Sequence, residues 1–247
     1  MLIDSGASKA GAELIEAALR TVTSEPVRWV INTGSQDHRW LGNATFAARG
    51  AKIIALEGTV KTQQANSARE MQALKMPIGD RLAGTEPLSS PDPLPGDAAR
   101  LTLGGVDVEL RSFGNGHFPG DAVVWLPRQR IAFSGDLVFA DRMLGVLDTG
   151  SRVDQWAQTF KIFAVTLKPE IIVPGHGRPC TLAQAQAQTG DYLDWLVSQV
   201  KPAAENMDDL EKVVQRVHAA APEQFRKLHN FDAIDRVNIN RSYLEFQ

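Results

Sequence analysis

Val-Pro-Gly-His-Gly at residues 173–177 decides the fold, because it places a histidine directly after a short buried strand. The apolar residues 171–173 form that strand, and His176 follows them. Phe-Ser-Gly-Asp at 133–136 places Asp136 after another apolar run in the same manner. Because strand ends hold side chains in fixed geometry, ligands that converge from such positions are typical of a metal site.

Two further segments carry residues of the same chemical type. His117 lies in Gly-His-Phe-Pro-Gly-Asp at 116–121, in the connection between two predicted strands. Asp37 and His38 lie in Asn-Thr-Gly-Ser-Gln-Asp-His-Arg at 32–39, which follows a predicted strand. Imidazole and carboxylate groups are the common protein ligands of zinc, iron and manganese.

The order of predicted elements alternates between strands and helices, which is typical of helices packed on a sheet. A loop with four prolines at 86–96 interrupts this alternation. The predicted strands cover residues 27–31, 51–55, 106–112, 121–126, 130–133 and 171–173, and the predicted helices cover 8–22, 42–50, 59–75 and 152–167. The C-terminal part is predicted to be helical, with Tyr192, Trp195 and Leu196 on one face as core residues.

The amino-acid composition narrows the classes of molecule that the protein is expected to bind. The 247 residues are 43% hydrophobic and 22% charged, which suffices for a sizeable core. A formal net charge of −3 offers no basic surface for nucleic acid or membrane, so a small-molecule substrate is predicted. The single cysteine, Cys180, excludes an intramolecular disulfide and a cysteine-rich zinc cluster.

These motifs together resemble the metallo-β-lactamase superfamily. The resemblance rests on Leu-Ile-Asp-Ser-Gly at 2–6 and on the segments at 116–121, 133–136 and 173–177, in consistent order. It implies an α/β fold, the αβ/βα four-layer sandwich of the metallo-β-lactamase type, with N-terminal strands missing because the chain begins inside a strand. It also implies that His117 helps to hold one metal, that Asp136 bridges two metals and that His176 helps to hold the second.

The first motif departs from the family pattern, Thr-His-x-His-x-Asp-His, and two alignments remain open. In the first alignment one residue is missing and Asp37 and His38 are the Asp-His pair of the family. The second metal site is then complete, while the first retains only His117 and the bridging carboxylate. The residues of the complete site are Asp37, His38, Asp136 and His176.

In the second alignment, which has no gap, Gly34 and Gln36 occupy the two histidine positions. His38 then stands at the Asp position and Arg39 at the last His. Both alignments lose the two leading histidines. Because each ligand contributes substantially to affinity, a mechanism with two metals is not expected.

The resemblance and this departure together predict a metal-dependent hydrolase-like protein that holds one divalent metal. Zinc is preferred over iron or manganese, and the ion would activate water on a small ester, thioester, amide or phosphoester. Asp37 and Asp136 are the candidate catalytic residues that orient this water, and no residue is assigned to substrate binding. A metal-free, non-catalytic binding protein and a mononuclear iron oxygenase of the same superfamily are the alternatives.

The sequence also predicts the domain organisation and the cellular location of the protein. Residues 1–180 are predicted to form the metallo-β-lactamase-like domain, and residues 181–247 a helical extension that packs on it or forms a homodimer contact. The chain as given is predicted to be cytoplasmic. A true start further upstream with a signal peptide would make it periplasmic.

Overall fold

The computed structural model describes residues 1–147 and 150–247, which form two compact units. The first unit comprises Met1–Ser112 and Gly120–Gln129, and the second comprises Phe113–Pro119 and Arg130–Gln247. The predicted division after residue 180 differs from this one and stays a prediction.

The first unit contains strands β1 to β6 and helices α1 to α4. Its strands are β1 (Leu2–Ile3), β2 (Trp29–Ile31), β3 (Lys52–Ile54), β4 (Ala98–Leu103), β5 (Val106–Arg111) and β6 (Val123–Leu126). Its helices are α1 (Lys9–Arg20), α2 (Asp37–Trp40), α3 (Asn43–Ala47) and α4 (Glu57–Ile78), and a 3₁₀ turn follows at Gly79–Leu82.

Strands β1, β2 and β3 form a parallel sheet in chain order. Helix α1 connects β1 to β2, as a parallel pair requires, and Ser8 caps it by accepting a hydrogen bond from the Gly11 amide at 3.1 Å. One face of this sheet packs its apolar side chains against α1 and α3. The buried cluster consists of Ala12, Val30, Phe46, Ala51 and Ile53.

Strands β4, β5 and β6 form an antiparallel ladder. The sequence did not predict β4, and its burial pattern explains why. Its residues alternate between exposed and half-buried, so β4 lacks the apolar run that marks a buried strand. The hairpin to β5 turns at Gly104 and Gly105, which both have positive φ.

The second unit contains a parallel strand pair and six helices among its described residues. The strands are β7 (Ile131–Phe139) and β8 (Ile171–His176). The helices are α5 (Val153–Leu167), α6 (Leu182–Ala185), α7 (Asp191–Glu205), α8 (Leu210–Ala219), α9 (Glu223–Arg226) and α10 (Phe231–Glu245), with a π-helical turn at Gln186–Gly190.

The C-terminal helices enclose an aromatic core, as predicted for Tyr192 and Leu196. Both side chains are fully buried, and the Tyr192 ring lies edge-to-face on Phe225 with centroids 5.2 Å apart. Trp195, the third predicted core residue, is half-buried and packs on the same Phe225 ring. No helix of the described residues has the length and apolar character to cross a bilayer.

Cys180 closes a short loop that carries His176. Its backbone amide and carbonyl both bond to Ile172, at 2.9 and 2.8 Å. Burial raises the pKa of the Cys180 thiol to about 11. The thiol is buried and stays protonated at neutral pH.

Candidate metal centre

Asp136 lies inside β7, where the pairing with β8 becomes irregular. The register is regular from Ile131 opposite Ile171 to Phe133 opposite Val173, and then shifts at Gly135 and again before Phe139. Gly135 has a φ of 51°, which a residue with a side chain rarely adopts. The expectation that Asp136 follows the end of its strand was therefore wrong: a bulge within a longer strand aims this side chain.

Asp136 and His176 lie side by side in the second unit. Asp136 Oδ1 is 3.3 Å from His176 Nε2, and the two side chains are 3% and 31% exposed. A carboxylate this deeply buried is costly unless a positive charge or hydrogen bonds compensate it. The pair thus combines a buried negative charge with an imidazole that solvent can reach.

Phe139 orients the His176 ring from within β7. The two rings stack with centroids 4.8 Å apart and an interplanar angle of 28°. The Thr189 hydroxyl accepts a hydrogen bond from the Phe139 amide at 3.0 Å and donates one to the Phe139 carbonyl at 2.6 Å. Sequence reasoning missed both residues, because no motif links a strand to a π-helical turn fifty positions later.

Gly177 allows β8 to end close to β7. Its φ is +103°, and an added Cβ would lie 2.0 Å from the Ala140 carbonyl oxygen. The Ala140 amide donates to the His176 carbonyl at 2.9 Å in the same place. Only glycine fits this approach, which explains the second Gly of the decisive stretch.

His117 has a different environment from the other predicted ligands. Its Nε2 lies 2.9 Å from the Gly145 carbonyl oxygen, and its ring packs on Trp156, Phe118 and Phe139 with centroids 4.9 to 5.6 Å apart. A carbonyl oxygen only accepts hydrogen bonds, so Nε2 carries the proton in this contact. A nitrogen in that state would have to lose its proton before it could bind a metal.

Asp4 holds the segment that contains Asp37 and His38 in the first unit. Its carboxylate accepts hydrogen bonds from the Thr33 amide at 2.8 Å, the Thr33 hydroxyl at 2.7 Å and Arg39 Nη1 at 3.2 Å. Asp4 has a φ of 61°, an uncommon conformation for a residue other than glycine. The side chain of Asp4, whose backbone has this uncommon conformation, is thus hydrogen-bonded to the turn that follows β2.

Buried amides fix the same segment from its other side. Asn32 donates to the Arg39 carbonyl at 3.0 Å, and Asn43 donates to Asn32 Oδ1 at 2.8 Å. Gln63 on α4 donates to the Gly34 carbonyl at 3.2 Å. These amides were not among the predicted site residues, although Asn32 begins the quoted motif.

Asp37 orients His38. Asp37 begins α2, and its Oδ1 accepts from the His38 amide at 2.5 Å and lies 3.0 Å from His38 Nδ1. A carboxylate that contacts Nδ1 places the proton there and leaves the lone pair on Nε2. This is the state in which a histidine binds a metal through Nε2.

Glu70 on α4 is a buried acid close to this pair that the sequence did not reveal. It is 6% exposed, and Trp40 Nε1 lies 3.3 Å from its Oε2. Burial and then the negative charge of Asp37 raise the pKa of Glu70 to about 7, while the Trp40 hydrogen bond and the charges of Arg69 and His38 lower it. Glu70 therefore titrates near neutral pH.

Comparison with known proteins places this chain in a family. A family model of the metallo-β-lactamase superfamily matches residues 1–176 of the 247. The chain belongs to the metallo-β-lactamase superfamily. No curated protein matches it in sequence.

Solved structures of other proteins share the fold. A metallo-β-lactamase from Pontibacter korlensis is 22% identical with a TM-score of 0.64, over 78% of this chain and 80% of the other. The DIM-1 metallo-β-lactamase is also 22% identical, with a TM-score of 0.60 over 77% and 79% of the chains. A double mutant of the sec-alkyl sulfatase PisA1 is 14% identical, with a TM-score of 0.73 over 99% of this chain and 45% of the other.

The metallo-β-lactamase fold predicted from the motifs is thereby confirmed. Metallo-β-lactamase superfamily members usually bind divalent metals, so a metal-dependent, hydrolase-like function follows in general terms.

Proposed function

We propose that this protein binds one divalent metal ion and hydrolyses a small ester, thioester, amide or phosphoester. The observation that carries the proposal is the buried Asp136 carboxylate beside His176 Nε2. A carboxylate oxygen and an imidazole nitrogen are both common ligands of a divalent cation, which would use the two groups together. Superfamily membership supports the hydrolytic chemistry.

His38 is the third proposed ligand, from the family Asp-His pair. Its Nδ1 contact with Asp37 is the arrangement that prepares a histidine for metal binding, so Asp37 is proposed to orient a ligand rather than to be one. Two imidazoles and one carboxylate form a ligand set that is found in catalytic zinc sites.

A single ion is proposed because the other family ligands do not fit. His117 Nε2 faces a carbonyl oxygen. A Cβ on Gly34, which occupies a histidine position in the alignment without a gap, would lie 2.9 Å from Asp121 Oδ1. A histidine at position 34 would therefore have to displace the Asp121 carboxylate.

Each residue of the proposed site would have its own role in the hydrolysis. A bound ion would polarise the scissile group and lower the pKa of water. Asp37 Oδ1 would hold the His38 Nδ1 proton throughout, and Phe139 would keep the His176 ring in place. Asp136, as a buried carboxylate, would orient the attacking water in addition to holding the ion.

Metal content of the purified protein tests this proposal. Wild type is expected to retain close to one equivalent of zinc, and Asp136→Asn, His176→Gln and His38→Gln are each expected to lose it. His229→Gln is the control, because the exposed His229 has no place in the site. A metal content of wild type that is only trace, or that Asp136→Asn leaves unchanged, would contradict the proposal.

Substrate class is tested next, with generic esters, thioesters, amides and phosphodiesters. Hydrolysis by wild type that His176→Gln abolishes and His229→Gln preserves supports the hydrolase. Iron in place of zinc, together with oxygen consumption, would instead identify an oxygenase. Metal without any turnover would indicate a binding protein.

A further inference from the structure

A buried hydrogen-bond network joins three C-terminal helices of the second unit. Asp235 on α10 is fully buried, and its carboxylate accepts from the Tyr192 hydroxyl at 2.7 Å and lies 2.8 Å from His218 Nδ1. Burial, followed by the charge of Asp235, raises the pKa of Tyr192 well above its ordinary value. The Tyr192 hydroxyl thus stays protonated and donates to Asp235.

Asn238, one turn further along α10, connects this network to the loop after β7. Its Nδ2 donates to the Tyr192 hydroxyl oxygen at 3.0 Å and to the Leu144 carbonyl at 2.8 Å, and its Oδ1 accepts from the Val146 amide at 2.8 Å. The flipped amide would set oxygen against the Leu144 carbonyl, so the orientation is determined. Asn238 is fully buried.

Gly145 lies between the two residues that Asn238 holds. Its carbonyl oxygen is the one that contacts His117 Nε2 at 2.9 Å. The direction of this carbonyl depends on the backbone on both sides of it, and Asn238 bonds to both sides. The three contacts therefore connect α10 to the tautomer of His117.

We infer that Asn238 is a positioning residue that fixes the Gly145 carbonyl and so holds His117 as its Nε2–H tautomer, a hydrogen-bond donor rather than a metal ligand through Nε2. The inference rests on the proposed function only in placing the metal at Asp136 and His176. A neutral imidazole has one donor and one acceptor nitrogen, and metal binding needs the acceptor. As long as Asn238 holds the loop, His117 Nε2 is the donor.

Imidazole nitrogen spectroscopy of the full chain labelled with ¹⁵N-histidine tests the inference. The five histidines are assigned with single His→Gln variants. At neutral pH we expect a protonated Nε2 for His117, unchanged when zinc chloride is added, while the His176 signals shift. A His117 Nε2 that is deprotonated, or that loses its proton on zinc addition, would overturn the inference.

Asn238→Asp tests the positioning role, because a carboxylate would face the Leu144 carbonyl. We expect the His117 Nε2 proton to exchange with solvent at least about tenfold faster, since the hydrogen bond that protects it opens. Asn240→Asp, on the same helix but outside the network, is the control and should exchange like wild type. An Asn238→Asp spectrum identical to that of wild type would refute the role.

Two further measurements distinguish a failure of the inference from a variant that does not fold and from a failure of the proposed function. If Asn238→Asp does not fold, Asn238→Ala removes the bonds to Leu144 and Val146 without adding a charge. Faster His117 exchange in Asn238→Ala supports the role, and unchanged exchange refutes it. If no histidine responds to zinc, the proposed function fails, but the wild-type tautomer still decides the inference.

Discussion

Asp37 shows how the atoms in contact decide a role that residue type leaves open. The sequence offered Asp37 as a ligand or a catalytic group, because carboxylates serve both purposes. The structure sets Asp37 Oδ1 against His38 Nδ1, where it can fix the proton of the imidazole. The same carboxylate thus acts on the proposed ion through His38.

Two substitutions at Asp37 separate these roles. Asp37→Ala removes the acceptor, and we expect it to weaken zinc binding about 10- to 100-fold, as is usual for the partner of a ligating histidine. Asp37→Asn keeps an acceptor oxygen and should weaken binding less. Competition with a chromogenic chelator measures both. Equal and complete loss in Asp37→Asn and Asp136→Asn would identify Asp37 as a ligand.

Glu70 makes stability depend on pH near neutrality. Its pKa in the folded protein, about 7, lies above its usual 4.5, so folding favours the protonated form. The stabilisation is full below the unfolded-state value and is lost as pH rises through about 7. After allowance for partial solvent screening, the loss corresponds to about 2 kcal/mol.

Glu70→Gln imitates the protonated acid and should remove this dependence. In urea unfolding, we expect the variant to match wild type at about pH 4 and to be more stable by about 2 kcal/mol at about pH 8. Glu57→Gln, at an exposed position of the same helix, is the control. A constant difference between Glu70→Gln and wild type at both pH values would show that Glu70 does not titrate in this range.

At the scale of elements, the bulge in β7 determines what the site can be. A regular strand would point residues 136 and 139 to opposite faces, whereas the shifts at Gly135 and Phe139 let Asp136 and Phe139 both contact His176. The π-helical turn supplies the Thr189 hydroxyl in place of a strand neighbour for Phe139. The site therefore depends on two local irregularities that support each other.

Thr189→Val keeps the shape of the side chain and removes the hydroxyl. The buried amide and carbonyl of Phe139 then lose a partner each, and we expect a destabilisation of about 2 kcal/mol together with weaker zinc binding. Thr189→Ser, which keeps the hydroxyl, should retain most of both. Thermal unfolding and chelator competition provide the measurements. Equal behaviour of the two variants would mean that the hydroxyl has no such role.

The sequence predicted those elements whose own residues carry a signal. The strands at 51–55 and 171–173 are short apolar runs, and the helix at 152–167 was correct to one residue at its start. The edge strand β4 has no buried residue, and Ser-Gly inside β7 imitates a turn, so both were misjudged. Local composition does not separate a bulge from a strand end.

For the whole molecule, the contribution of the C-terminal helix is the largest departure from what motifs predict. Asn238 bonds to residues 144 and 146, more than ninety positions earlier, and nothing in its own neighbourhood marks it. Thr189 and Glu70 likewise have no sequence motif around them that marks their role. Motifs point to the proposed ligands, whereas only the folded structure reveals the residues that hold them in place.

Deletion of residues 231–247 tests how far the second unit depends on α10. The deletion removes the buried side chains of Phe231, Ile239 and Tyr243, worth about 5 kcal/mol or more by their burial. Because such a loss is comparable to the stability of a domain, we expect residues 1–230 to be sensitive to protease and to unfold without cooperativity. Deletion of Gln247 alone is the control. A cooperative transition like that of wild type would contradict this expectation.

The reactivity of the Cys180 thiol reports on the movement of the loop that carries His176, a proposed metal ligand. The thiol is the only one in the chain, it is buried, and its backbone closes the loop around His176 through Ile172. A disulfide reagent that labels only exposed thiolate can react only when this loop opens. The rate of thiol labelling therefore reports how often the loop between Ile172 and Cys180 opens. Added zinc should slow the labelling if His176 holds the ion.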